Sequence, residues 1–197
     1  MARRGTQGRL MNELLWYVSR ATGVVSIVLL TVVVVLGLVT AGRRRPTGDS
    51  ATVVMALHRW LSLGTSVFLL AHIATAVAET YVSIDLVSAV LPFTSGYEAL
   101  WVGLGTLAFD VLLAVVVTSL LRHRLAERTW RRVHLLSHAL WPMAIVHGLA
   151  LGTSGELLLR GTTIACAVVG VGAIAWRYTS THHDERRRVA VAAQEWS

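Results

Sequence analysis

Lysine is absent from this 197-residue chain, so all 18 of its Lys and Arg positions are arginine. Cysteine occurs once, at Cys166 inside an apolar run. A single cysteine excludes an intrachain disulfide and any cysteine-based metal motif within one chain. Charged residues make up 15% of the sequence, well below the roughly 25% usual for a soluble domain. The sequence carries no glycine-rich phosphate loop, no internal repeat of useful strength and no segment composed like a soluble domain. The first hydrophobic run is too long for a cleaved signal peptide and reads as a segment that stays in the bilayer.

What is present is hydrophobic: 54% of residues are apolar and the mean hydropathy is +0.60. The composition is that of a membrane protein. The formal net charge of +7 is therefore read by position along the chain, and nucleic acid is not an expected partner. Five runs are long and apolar enough to cross a bilayer, which takes about 20 residues each. They lie at about 14–40, 52–78, 99–121, 133–151 and 157–176. The expected fold is an all-α polytopic bundle of five transmembrane helices. A polar tail over 1–13 precedes the membrane domain at 14–178, and a charged tail over 179–197 follows it. The first tail reads as poorly ordered. The stretch 80–97, with Pro92 and Gly96, reads as a loop carrying a short interfacial helix. The basic stretch 122–132 reads as a connection.

Arginine distribution orients the bundle. Three arginines at 43–45, five in 122–132 and four in the C-terminal tail fall on one side. Three in the N-terminal tail and Arg160 fall on the other. The expected topology has the N-terminus outside and the C-terminus in the cytoplasm, in the plasma membrane of a bacterial cell.

Two spans hold paired histidines. His58 and His72 are fourteen positions apart on the second, and His134 and His147 thirteen apart on the fourth. An ionisable residue inside a membrane span is costly and points to function, and histidine is a common axial ligand of haem iron. Thirteen or fourteen residues rise about 20 Å, enough to separate two stacked haems. Two imidazoles per iron fill both axial positions and suit outer-sphere electron transfer. On an ideal helix His58 and His72 share a face, but His134 and His147 lie about 140° apart. The expectation is that a kink or bulge at Pro142 brings the second pair round. His138, one turn from His134, competes with it as a ligand. His123, His182 and His183 read as solvated. Arg59, Arg131 and Arg132 are placed for haem propionates at the inner end and Arg20 at the outer end. Each is equally readable as an ordinary interfacial arginine. Asp110, in mid-span, is a candidate hydrogen-bond acceptor for a Trp, a Thr or a ligand histidine. Glu79 and Asp85 read as interfacial and Cys166 as packing.

At these residues the chain resembles the ferric reductase-like transmembrane family. That family includes ferric reductases, superoxide-generating NADPH oxidases and the haem subunit of the bacterial methionine-sulfoxide repair system. The likeness rests on the two histidine pairs, on Arg-Ala-Thr-Gly (Arg20 to Gly23), on Trp-Arg-Arg-Val-His (Trp130 to His134) and on His147-Gly148, and covers about 14–151. It implies haem b held by His58 with His134 on the inner side and by His72 with His147 on the outer side. It further implies transmembrane electron transfer to an extracytoplasmic acceptor. The reductases and oxidases carry a flavin- and nicotinamide-binding module after the last span, and none is expected here. The donor would then be a separate flavoprotein or quinol. A rival keeps one haem and makes the chain a quinol-fed subunit of a methionine-sulfoxide repair system. The repair subunit's pattern lacks a counterpart of His58, which sets this sequence nearer the two-haem reductases. A rival of another class is a haem-free transporter whose histidines line a proton or metal path. A third is a membrane anchor for a soluble partner.

Overall fold

The computed structural model describes residues 2–41, 46–80, 82, 84–152 and 155–195, with side chains between 7 and 179. All regular structure among them is helical: α1 (Ala2–Thr40), α2 (Asp49–Ala78), α3 (Leu86–Val90), α4 (Ala99–Leu120), α5 (Glu127–Leu135), α6 (Ser137–Leu151) and α7 (Leu157–Glu195). Five segments are long and apolar enough to span a bilayer: Gln7–Thr40, Asp49–Ala78, Ala99–Leu120, Glu127–Leu151 and Leu157–Thr179. The all-α, five-span architecture is thus as the hydropathy runs indicate. The arginines at 43–45 lie outside the described residues, as do the side chains of Arg3, Arg4, His182, His183 and 186–188.

Three boundaries differ from expectation. The N-terminal polar segment is helical from Ala2 and continuous with the first span. Arg, Gln, Leu, Met and Glu are good helix formers and no proline interrupts them. The last helix likewise runs on to Glu195. The basic connection after α4 is only a single 3₁₀ turn, Arg122–Arg124. Helix resumes at Glu127, an acid in the first turn where the helix dipole favours it. The expected short helix in the 80–97 stretch is α3, capped by Asp85, which accepts from the Ser88 backbone N–H at 2.9 Å.

Packing is by antiparallel pairs. The most extensive interhelical contacts are α1 with α2 and α4 with α6, and α7 lies along α1. The histidine-bearing helices α2 and α6 are not among the closely packed pairs. Each leans on its own partner and a slot is left between them. A small core ties the rest: Ile27 and Leu30 of α1, Ala108 of α4, Leu140, Trp141 and Ile145 of α6, and Cys166 of α7. Trp141 is its keystone, donating its indole N–H to Thr31 Oγ1 at 3.0 Å. At the end of the bundle that carries His58 and His134, Arg177 donates to the Ala41 carbonyl at 3.0 Å.

The candidate haem-binding site

His58 and His72 come from α2, while His134 ends α5 and His147 belongs to α6. The spans place them as two facing pairs. The ring centroids of His58 and His134, named the inner pair after the expected topology, are 6.4 Å apart, and those of His72 and His147, named the outer pair, are 6.3 Å apart.

The fourth span reaches this arrangement by a break six residues before the proline. Leu136 separates α5 from α6. Around it Leu136 N–H donates to the Val133 carbonyl at 3.0 Å and Ala139 N–H to the Leu136 carbonyl at 2.9 Å. These three-residue bonds overwind the helix to about 120° per residue, which rotates His134 towards the face of His147. Pro142 lies inside α6 and removes the donor that the His138 carbonyl would otherwise receive. The expected departure from an ideal helix is therefore an overwound turn at Leu136, upstream of the proline.

The outer pair is held by backbone carbonyls. His72 Nδ1 donates to the Ser19 carbonyl at 2.7 Å, with Ser19 Oγ at 3.3 Å, and His147 Nδ1 donates to the Trp101 carbonyl at 2.8 Å. A carbonyl only accepts, so each Nδ1 carries the proton and each Nε2 keeps a free lone pair. The inner pair differs. His58 Nδ1 and His134 Nδ1 are buried without a hydrogen-bond partner. The Val33 carbonyl faces His58, and Trp130 stacks on His134 with centroids 5.1 Å apart and planes 24° apart. Trp130 is itself sandwiched by the Arg122 guanidinium, 4.3 Å from its ring centre.

A cavity of about 250 Å³ lies at the outer pair. His72 and His147 line it, with apolar walls from α1, α4 and α6 and with Arg20, Glu79, Tyr97 and Arg160 among its polar groups. Ser88 and Ala89 of α3 also line it, and Thr106 of α4 secures that helix by donating to the Ser88 carbonyl at 2.7 Å. Arg20 lies over Trp16, 4.3 Å from its ring centre, and donates to the Leu151 carbonyl at 3.4 Å.

These residues fit haem. A metal held between two imidazole nitrogens at roughly 2 Å from each would leave the two ring centroids about 6 Å apart. Both pairs have that separation. Four neutral nitrogen donors in two opposed pairs are the donor set of bis-imidazole iron.

The other candidates are placed as follows. Arg59 and Arg132 are exposed at the inner end. Arg131 is exposed too, and pairs with Glu127 at 2.6 Å one turn away. His138 is exposed, with Nδ1 donating to the Leu135 carbonyl at 3.1 Å, and it does not join either pair. His123 is exposed. Asp110 is half-buried and, among the described residues, makes no hydrogen bond to Trp, Thr or histidine. The carbonyls of Ser19 and Trp101 take the orienting role considered for it. Glu79 directly follows the last residue of the second span, at the position of an interfacial residue, and is 6% exposed beside Arg20. Sequence reasoning missed Ser19, Trp101 and the stack on Trp130. Backbone acceptors leave no residue-type signal; Trp130, four residues before His134, was visible only as part of a motif.

A five-span helical membrane protein with two facing imidazole pairs is the class this fold and site define. The model of the ferric reductase like transmembrane component family matches residues 22–147, and the chain belongs to that family. Its role is transmembrane electron transfer of the oxidoreductase type. No curated protein and no solved structure matches the chain.

Proposed function

We propose that this chain is a di-haem b cytochrome domain that carries single electrons across a bacterial plasma membrane. Electrons enter from a cytoplasmic flavoprotein or from quinol and leave to an extracytoplasmic acceptor. The observation that carries the reading is the pair of imidazole pairs, each at the separation that trans ligation requires. His58 and His134 hold the inner haem and His72 and His147 the outer one. Haem, when bound, supplies the one-electron couple; the chain supplies position, ligands and a dry path. Nδ1 protonation at His72 and His147 turns Nε2 toward the slot. Arg20, lining the outer cavity, offsets propionate charge there. At the inner end Arg59, Arg131 and Arg132 are the cations available, with Arg131 shared with Glu127. The arginine asymmetry along the chain supports an inner face at the His58–His134 end.

A second reading keeps one haem, at the outer pair, as in a quinol-fed repair subunit. It is favoured by the cavity's lying at that pair and by the unbonded Nδ1 atoms of the inner pair. His72→Ala and His147→Ala decide the ligands. In the two-haem protein each variant loses one haem and keeps the other, read from haem per chain in the purified variants. Retention of both haems in either variant contradicts the ligand assignment.

A further inference from the structure

The rings of His72 and His147 lie flat against bare helix backbone. A methyl group added at Gly23 would stand 2.9 Å from His72 Nδ1, and one at Gly105 would stand 2.5 Å from His147 Nδ1 and Cε1. Real side chains do not approach so closely, so only glycine leaves room for the ring at either position. Each glycine lies four residues after the carbonyl that accepts the ring's Nδ1–H: Ser19 before Gly23, Trp101 before Gly105. The two features form one seat. The absent Cβ lets the ring descend onto the helix, and the carbonyl at the next turn down receives its proton.

The same spacing recurs fourteen residues along α1, matching the fourteen residues between His72 and His58 on the antiparallel α2. There Val33 offers its carbonyl and Gly37 faces His58. This seat is looser: a methyl at Gly37 would be 3.6 Å from His58 Cε1, an ordinary contact, and Nδ1 is unbonded. On α4 the position fourteen after Gly105 is Ser119. Its hydroxyl accepts the Trp130 indole N–H at 3.4 Å, and Trp130 packs on His134 in place of a bare backbone. The seats grade from tight on the outer side to loose on the inner side.

We propose that Gly23 and Gly105 are positioning residues that set the orientation and basicity of the outer histidine ligands. The inference rests on haem ligation by His72 and His147. A hydrogen bond from Nδ1–H to a carbonyl raises the basicity of the opposite nitrogen, which favours ferric iron. An alanine at either seat lifts the ring off the carbonyl and weakens that bond.

The test uses the full chain, purified from cells supplied with haem, as wild type, Gly23→Ala, Gly105→Ala, Gly37→Ala and Gly172→Ala. A methyl at Gly172 meets nothing within 4 Å. Haem per chain, the low-spin ferric electron paramagnetic resonance signals and the midpoint potentials are read for each. Gly23→Ala and Gly105→Ala are expected either to lose the outer haem or to keep it with an altered ferric signal and a raised potential. The inner haem should be unchanged in both, and Gly37→Ala and Gly172→Ala should match wild type. In a chain holding a single haem, its retention by Gly37→Ala replaces the inner signal as the reference. Wild-type signals and potentials in Gly23→Ala and Gly105→Ala overturn the inference. So does equal loss of both haems, because the seats act on the outer pair alone. A wild type without haem overturns the underlying ligation, and the inference with it, before any variant is compared.

Discussion

The hydrogen bond from Trp141 Nε1 to Thr31 Oγ1 joins α6 to α1 across 110 positions of sequence. Trp141 is 5% exposed and Thr31 4%. Thr31 also donates its own proton to the Ile27 carbonyl at 2.8 Å, so a lone pair of its hydroxyl is already directed outward when the indole arrives. Thr31→Val keeps the shape and removes the acceptor, leaving a buried N–H unbonded. In a soluble core that costs roughly 1–3 kcal/mol. In a bilayer the unfolded helices also find partners, and interhelical hydrogen bonds average about 0.6 kcal/mol and reach about 1.7 kcal/mol. Trp141→Phe removes the same bond from the other side, along with some packing area. Once Trp141 is Phe, Thr31→Val should cost little more. The coupling energy of the pair is therefore expected between about 0.6 and 1.7 kcal/mol. It is measured by unfolding the wild type, both single variants and the double variant in mixed micelles. A coupling below about 0.3 kcal/mol, the usual error of additivity, refutes the view that this bond fixes α6 against α1.

Gly170→Ala should destabilise by about 1–3 kcal/mol in the same unfolding assay, as overpacking does, because its methyl group would run into the Trp141 ring. Gly172→Ala, two residues on and facing open space, should be neutral or stabilising by up to about 1 kcal/mol; equal effects at the two sites contradict this packing. Burial pushes the Glu79 carboxyl above its ordinary value, with the charge of Arg20 opposing. A raised carboxylate pKa means that ionised Glu79 weakens the fold above the usual carboxylate range and has no such effect below it. Glu79→Gln should melt higher than wild type at neutral pH and lose that advantage as the pH falls through the carboxylate range. A variant that melts lower at neutral pH shows instead that the attraction to Arg20 outweighs burial.

The spans were legible because twenty apolar residues in a row have few other uses, and the histidine pairs because imidazole is expensive in that setting. Their partnering across α2 and the α5–α6 span is what the resemblance to the ferric reductase-like family implies. What the residues did not disclose was how the fourth span turns. Pro142 announced a bend, yet the helix breaks at Leu136, a residue with no special conformational preference, where three-residue hydrogen bonds tighten the turn. The polar ends of α1 and α7 were under-read for a related reason: hydropathy marks where a helix enters lipid and says little about where it stops. The seats under His72 and His147 were hidden differently. Gly23 stood in a recognised motif and Gly105 in none, and a glycine within a membrane helix is too common to single out. Its meaning comes from the ring opposite, which only the packing of α1 on α2 and of α4 on α6 brings into view. The acids illustrate the reverse case: Asp110 drew attention by its charge in mid-span, whereas the neutral carbonyl of Trp101 does the orienting.

The most direct measurement is a reduced-minus-oxidised optical spectrum of the purified chain with haem quantified per polypeptide. Two b-type haems per chain is the result expected from two imidazole pairs at ligating separation. A protein from haem-supplied cells that shows no b-type spectrum contradicts the assignment and returns the four histidines to a transport or structural role.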